Sequence, residues 1–222
     1  MPQTKIAYLG LLDGDRATGS PRGEQHLSAL ARAVVAASQG DVAVELLSCG
    51  PAPQCRSLSP GVVHRVLPWV GQPRTAWDAC SWEIADALAD ADLVHLHDGF
   101  SRACEVGLLI AKQWSKPVCL TEFGLTGHWL SVELGLRELA DVVICHSPSV
   151  AAKLHTGTCV ELVSGQVNPH WFGIPAEWPI PTPLPPAASD DERPPEVDYD
   201  SLGAELSSIY RPLLAKHREA AA

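Results

Sequence analysis

Two histidines and an aspartate stand where a predicted strand ends, in the segment HLHDGFSR at 95–102. His95 and His97 are two residues apart, so their side chains share one face of the strand, and Asp98 follows at its exit. Two imidazoles beside a carboxylate could form part of a metal site, or one imidazole could act as a base that the carboxylate orients. No third ligand has a recognisable spacing, so we predict no metal and a His97 that faces a ligand. Alternatively, His95 packs against a helix and Asp98 only turns the loop.

Polar residues also follow the next two predicted strands. Glu122 precedes a glycine-rich loop that contains Gly124, and a carboxylate in this place can accept hydrogen bonds from sugar hydroxyls or act as a general base. It can also simply cap the loop. His146 and Ser147 point to the same edge, although Ser147 suits a helix N-cap equally well. Together these strand ends predict a cleft for a polar small molecule, with His97 and Glu122 as the catalytic candidates.

A glycine-containing segment, GSPRGEQH at 19–26, leads into the first predicted helix. Gly23 lets the backbone approach a ligand closely, and the N-terminus of a helix offers free N–H groups to an anion. Because the segment is not the GxGxxG fingerprint, an ordinary surface loop explains it as well. The residues predicted to bind substrate or an anion here are Arg22, Gly23, Glu24 and His26.

A repeated alternation of strands and helices must position these segments. Apolar runs predict strands at 5–12, 42–47, 62–67, 93–97, 117–121, 142–147 and 159–163. Helical periodicity predicts helices at 26–38, 77–89, 101–114, 128–139 and 148–155. This order predicts βαβ units and an α/β fold with one doubly wound parallel sheet. In such sheets ligands bind at the carboxyl ends of the strands, near the point where the strand order reverses.

Composition restricts the partners of the chain. Its 222 residues carry a formal charge of −10, which argues against binding to nucleic acid or to an anionic membrane surface. The longest apolar runs are too short to span a bilayer, and the N-terminal segment has no signal-peptide pattern, so we expect a cytoplasmic protein. The seven cysteines form no CxxC pair, which predicts reduced thiols.

Taken in order, these motifs resemble the N-terminal half of a GT-B glycosyltransferase of the retaining, family-four type. The resemblance spans roughly residues 4–174, and each motif alone is weak, whereas their order and spacing are specific. The matching segments are the RGEQH loop at 22–26 with its helix, the D-x-V-H-x-H strand at 92–97, the T-E-x-G turn at 121–124, the A-D-x-V-I-x-x-S strand at 140–147 and the linker at 163–168.

The resemblance implies specific roles for the two halves of such an enzyme. In that family the N-terminal domain mainly binds the acceptor, and a histidine in the position of His97 lies beside the transferred sugar. The C-terminal domain holds the nucleotide sugar, which is a co-substrate, and no resident cofactor is expected. No segment of this chain matches that second domain. Arg22 also departs from the pattern, because the family has glycine there.

The resemblance and the composition together predict three parts. Residues 1–174 form the Rossmann-like N-terminal domain of a GT-B fold, and residues 175–198 form a proline-rich acidic linker. Residues 199–218 form a C-terminal helix that packs back on the domain, as the last helix does in full-length relatives. Its apolar stripe consists of Leu202, Leu206, Ile209 and Leu213. Pro212 is expected to kink or divide this helix.

Three functions remain open from the sequence. The favoured one is a truncated glycosyltransferase that binds a sugar or other glycosyl acceptor and needs a partner chain or a homodimer for the donor site. The second is a single-domain enzyme that acts on a sugar or a phosphorylated metabolite, with His97 or Glu122 as the proton carrier. The third is a non-catalytic binding or regulatory relative.

Overall fold

The computed structural model describes residues 3–10, 22–74, 76–97, 101–122, 135–146, 151, 159–163 and 197–221. In these residues one sheet lies between two groups of helices. The strands are β1 (Thr4–Leu9), β2 (Val42–Gly50), β3 (Gln54–Ser59), β4 (Val62–Pro68), β5 (Leu93–Leu96), β6 (Val118–Glu122), β7 (Val142–Cys145) and β8 (Cys159–Leu162). The α-helices are α1 (Arg22–Ala37), α2 (Ile84–Ala89), α3 (Arg102–Gln113) and α4 (Tyr199–Ala221).

The sheet has the order β3-β4-β2-β1-β5-β6-β7-β8 within the described residues. Every neighbouring pair is parallel except β3 and β4. The chain therefore moves outward from β1 through β2 and β4, and then returns to the other side of β1 as β5. Tyr8 of β1 pairs with His95 of β5 at this switch point. The predicted doubly wound α/β sheet is confirmed, with one antiparallel strand added at its edge.

The two faces of the sheet bury two separate apolar cores. On one face Ile6 and Tyr8 of β1 pack with side chains of α1 and α4. On the other face Ala7 and Leu9 pack with side chains of α2 and α3. This alternation follows from the two-residue period of a strand that is buried on both sides. The α1 and α4 face carries the candidate site.

Helix α4 lies across α1, as predicted for the C-terminal helix. A Cβ atom built on Gly203 would lie 2.6 Å from the carbonyl carbon of Ala33, so only glycine lets the two helices approach so closely. Leu202 and Leu206 of the predicted stripe are fully buried. Pro212 does not divide the helix, which is continuous from Tyr199 to Ala221. Because Pro212 lies on the exposed side, water can hydrate the carbonyl group that loses its N–H partner.

Three local elements differ from the sequence predictions. The edge strand β3 was not predicted, because its polar side chains are mostly exposed and show no apolar alternation. Helix α1 begins at Arg22 rather than at His26, since the first turn of a helix tolerates polar residues and glycine. The predicted helix at 77–89 contains a 3₁₀ turn and only the short α2. Its middle is interrupted where the Ser81 hydroxyl accepts the N–H of Glu83, at 3.2 Å.

No helix in the described part of the chain is long and apolar enough to cross a membrane.

Candidate functional site

His97 lies at the switch point, directly after β5, and is 1% exposed. Its backbone N–H donates to the carbonyl oxygen of Leu9 at the end of β1, at 2.9 Å. A Cβ atom on Gly10 would lie 3.1 Å from the Cβ of His97, which is closer than nearly all side chains approach. Gly10 therefore allows the backbone at the end of β1 to lie directly beside this histidine.

The ring of His97 is held by two neighbouring rings. The centroid of His95 lies 4.0 Å away with an interplanar angle of 30°, and that of Tyr8 lies 4.5 Å away at 56°. Neither Nδ1 nor Nε2 of His97 has a hydrogen-bond partner among the residues that the structure describes. A buried polar atom without a partner costs free energy, and such atoms are rare in folded proteins. His97 is thus a buried group whose two ring nitrogens are without a partner in the described part of the chain.

His95 differs from His97 because both of its ring nitrogens are bonded. Nδ1 lies 2.5 Å from the hydroxyl oxygen of Tyr210 in α4, and Nε2 lies 2.6 Å from Oγ1 of Thr121 in β6. The hydroxyl groups of Tyr210 and Tyr8 are in turn 2.8 Å apart. The interpretation in which His95 packs against a helix is therefore the one that the structure supports. We call Tyr8, Tyr210, His95 and Thr121 the tyrosine–histidine chain.

Two further histidines lie on the same face of the sheet. His26 in α1 is 2% exposed, and its Nδ1 lies 3.0 Å from the hydroxyl oxygen of Tyr199 in α4. His146 follows β7 and is half-buried. The charge of His146 contributes to lowering the pKa of His26, of His95 and of His97. We call His26, His95, His97 and His146 the histidine cluster.

Burial keeps the inner members of this cluster neutral. Desolvation, with the charge of His146 as a smaller cause, lowers the pKa of His26 and of His95 from 6.5 to about 3. The pKa of His97 is also lowered well below its ordinary value, by burial first and by the charges of the other three histidines next. A neutral imidazole donates one hydrogen bond and accepts one, which suits a ligand hydroxyl. A base with so low a pKa accepts a proton poorly at neutral pH, so this arrangement favours binding over proton transfer.

Glu122 lies apart from the histidine cluster. It is the last residue of β6, is 1% exposed, and pairs in register with Cys145. Cys145 belongs to the core on the α2 and α3 face. Because side chains alternate along a strand, Glu122 lies on that face, whereas Thr121 lies on the face of the histidine cluster. The two catalytic candidates of the sequence, His97 and Glu122, therefore leave the sheet on opposite sides.

Of the remaining predicted residues, three lie in the first turn of α1 and three lie outside the described residues. The structure gives the backbone of Arg22, Gly23 and Glu24 as the start of this helix. Asp98, Gly124 and Ser147 lie outside the described residues. Within the part of the chain that is described, no group of three histidine, cysteine or acidic side chains could hold a metal ion.

Helix α4 brings residues to this side of the sheet that the sequence did not single out. Tyr199 bonds His26, and Tyr210 bonds His95. A cavity of about 460 Å³ is lined, among the described residues, by the segment from Val197 to Asp200. Tyr199, whose hydroxyl contacts His26, belongs to that segment. No local pattern marks these tyrosines, because their partners lie more than a hundred residues earlier in the chain.

Comparison with known proteins gives a likeness of fold. No protein-family model and no curated protein sequence matches the chain. A structure of sucrose-phosphate synthase from Thermosynechococcus elongatus matches 95% of this chain and 99% of its own, with a TM-score of 0.56 and 14% identity. MurG from Acinetobacter baumannii matches 74% of this chain and 46% of its own, at a TM-score of 0.45 and 13% identity. An enzyme described as a UDP-N-acetylglucosamine 2-epimerase, from Listeria monocytogenes, matches 68% of this chain and 41% of its own, at a TM-score of 0.46 and 13% identity.

Only the first of these likenesses is close enough to argue from, and at 14% identity it shows the fold alone. It extends over the sheet and over the returning helix, since it covers 95% of the chain. The prediction of a Rossmann-like half of a GT-B fold, with a C-terminal helix that packs on it, is confirmed at that level.

Proposed function

We propose that this GT-B half-domain is the acceptor-binding half of a glycosyl-transfer system, and that a partner chain or a second copy supplies the nucleotide-sugar site. The observation that carries the proposal is His97. It lies at the switch point of the sheet, where ligands of such folds bind, and it keeps both ring nitrogens without a partner among the described residues.

The chemistry of His97 supports a sugar as the bound molecule. A neutral imidazole can accept a hydrogen bond from one hydroxyl and donate one to another, and adjacent sugar hydroxyls offer both. The formal charge of −10 makes a highly anionic ligand less suitable than a neutral sugar. The fold likeness to sucrose-phosphate synthase agrees with a sugar ligand.

The order of elements supports a donor site outside this domain. Only residues 164–196 separate the end of the sheet from α4, and this is too short for a second α/β domain of about 100 residues.

A second candidate function is a binding or regulatory relative that carries out no reaction. The observation that favours it is the pKa of His97, which burial and the neighbouring histidines hold well below its ordinary value. A histidine of this kind is a poor general base, although it remains a good hydrogen-bonding group. Both candidates place the sugar at the same imidazole, and they differ in whether transfer occurs when a donor domain is present.

Calorimetric titration of the chain alone tests the proposal. The probes are glucose and glucose 6-phosphate as acceptor mimics, and UDP, GDP, UDP-glucose and GDP-mannose as donor mimics. We expect an acceptor mimic to bind and the nucleotides not to bind, and we expect His97→Gln to weaken the acceptor mimic. Micromolar binding of a nucleotide sugar to the purified chain would instead mean that a donor site exists within this domain or its homodimer.

Sedimentation with and without the bound sugar separates the two sources of a donor site. A dimer would make a second copy of this chain the source, and a monomer would direct the search to another protein. An acceptor mimic that binds equally well to His97→Gln would contradict the proposed site in either case.

A further inference from the structure

Helix α4 reaches the candidate site through one buried chain of hydrogen bonds. The hydroxyl of Tyr210 is 2.8 Å from that of Tyr8 and 2.5 Å from Nδ1 of His95, whose Nε2 is 2.6 Å from Oγ1 of Thr121. All four side chains are at most 2% exposed. The tyrosine–histidine chain therefore joins the last helix to β1, β5 and β6 within a water-excluded core.

The proton count of this chain allows two arrangements. Because His95 is neutral, one of its nitrogens carries a proton and the other accepts one. In the first arrangement Tyr8 donates to Tyr210, Tyr210 donates to Nδ1, and Nε2–H donates to Thr121. In the second every bond is reversed, so that Thr121 donates to Nε2 and Tyr210 donates to Tyr8. Tyr210 couples the tautomer of His95 to the hydroxyl of Tyr8 in both arrangements.

His97 depends on this chain for its position. Its two ring neighbours are His95, at 4.0 Å, and Tyr8, at 4.5 Å, and both are bonded to Tyr210. No hydrogen bond orients the ring of His97 itself within the described part of the chain. The orientation of its two nitrogens is therefore set by the packing of rings whose own positions Tyr210 fixes.

We infer that Tyr210 is a positioning residue for His97, so that the C-terminal helix is a part of the ligand site and not only a cover for the domain. This inference rests on the proposed function, in which His97 contacts the sugar. It assigns to α4 the task of holding the two rings against which His97 lies. Tyr199 acts in the same way on His26, whose Nδ1 lies 3.0 Å from its hydroxyl.

The test combines a hydroxyl deletion with a spectroscopic readout of the histidine rings. In the chain labelled with ¹⁵N-histidine, long-range proton–nitrogen NMR spectra show which ring nitrogen carries a proton. Tyr210→Phe keeps the ring and removes the hydroxyl, and we expect it to shift the ring signals of both His95 and His97. We also expect the affinity for whichever acceptor mimic binds the unmodified chain to fall by roughly three- to tenfold, as for the loss of one hydrogen bond.

Ser207→Ala is the matched control. Ser207 is on the same helix and 7% exposed, and its hydroxyl has no hydrogen-bond partner among the described residues. This variant should leave the His97 signals and the sugar affinity unchanged. If Ser207→Ala has the same effect as Tyr210→Phe, the helix acts only through packing, and the inference is overturned.

Tyr8→Phe gives a second test should Tyr210→Phe fail to fold. With Tyr8 gone as an acceptor, Tyr210 can donate only to Nδ1 of His95, so His95 should carry its proton on Nε2. Unchanged His95 and His97 signals in folded Tyr210→Phe, or a His95 that carries its proton on Nδ1 in Tyr8→Phe, would refute the positioning role. The ring signals need no ligand, so a sugar that fails to bind the unmodified chain would refute the proposed function and leave this readout intact.

Discussion

The hydroxyl oxygen of Tyr210 lies 2.5 Å from Nδ1 of His95, although 115 residues separate the two in the chain. This contact joins the last helix to the strand that carries His97. His97 follows His95 by two residues and is equally buried, but neither of its ring nitrogens has a hydrogen bond within the described residues. The two histidines therefore differ: hydrogen bonds hold His95, and we propose that His97 binds the ligand.

Replacement of each histidine by phenylalanine should have opposite effects on stability. His97→Phe removes two buried nitrogens that lack partners among the described residues, and we expect the free energy of unfolding to stay unchanged or to rise by about 1 kcal/mol. His95→Phe removes the partner of the Thr121 hydroxyl and one of the two partners of the Tyr210 hydroxyl. It should therefore lower the free energy of unfolding by about 2–4 kcal/mol. Urea denaturation of both variants measures this difference. Equal losses would contradict the assignment of roles.

Stability should fall steeply as the solution is acidified. His26 and His95 have a pKa of about 3 in the folded chain, below the ordinary 6.5, so the unfolded chain binds more protons between these values. The contribution of these neutral histidines to stability is therefore fully present above pH 6.5. As the pH falls toward 3, the free energy of unfolding decreases by about 1.4 kcal/mol per pH unit for each such histidine.

The histidine at the switch point contributes to the same slope, because its pKa is lowered too. Urea denaturation at several pH values between 4 and 7 should thus show a smaller slope for His97→Phe than for the unmodified chain. A slope that stays the same would mean that His97 is not kept neutral by burial.

Alanine at Gly203 should destabilise the domain, although alanine usually favours a helix over glycine. The added Cβ would lie 2.6–2.9 Å from the backbone carbonyl and the Cβ of Ala33, which forces α4 away from α1. We expect a loss of about 1–3 kcal/mol in the free energy of unfolding. Ala204→Gly, at the next and exposed position, measures helix propensity alone, at about 1 kcal/mol. A gain in stability for Gly203→Ala would rule out the close crossing.

A methyl group at Gly10 should weaken ligand binding more than folding. Its Cβ would lie 3.1 Å from the Cβ of His97, so the histidine must move by a few tenths of an ångström. We expect a several-fold loss of affinity for the acceptor mimic, measured by calorimetry. Gly107→Ala is the contrast, because there the clash is with the end of the Leu9 side chain on the opposite face. That variant should change stability and leave affinity as it was.

The sequence predicted those elements whose signal is local and periodic. Continuous apolar runs such as those of β1 and β6 identify strands buried on both faces, and the stripe with Leu202 and Leu206 identifies the buried side of α4. The position of His97 at a strand end also follows from the pattern of the chain. What these features share is that neighbours in sequence determine them.

The features that escaped prediction depend on distant or weak signals. The edge strand β3 is mostly polar, so its pairing with β4 leaves no apolar alternation. Tyr210 resembles one more apolar residue of the α4 stripe until the helix is placed against His95. Glu122 was predicted at the same edge of the sheet as His97, and only its register with Cys145 shows that it lies on the other face.

The guanidinium group of Arg218 donates a hydrogen bond to Oγ1 of Thr4, at 3.1 Å, so α4 ends where β1 begins. The end of the last described helix and the start of the first strand are therefore neighbours in space, so a short connection could join them. A circular permutant that joins α4 directly to β1 and opens the chain between 164 and 196 should keep every contact described for the sheet. In such a molecule Tyr199 and Tyr210, which contact His26 and His95, would lie near the N-terminus instead of the C-terminus.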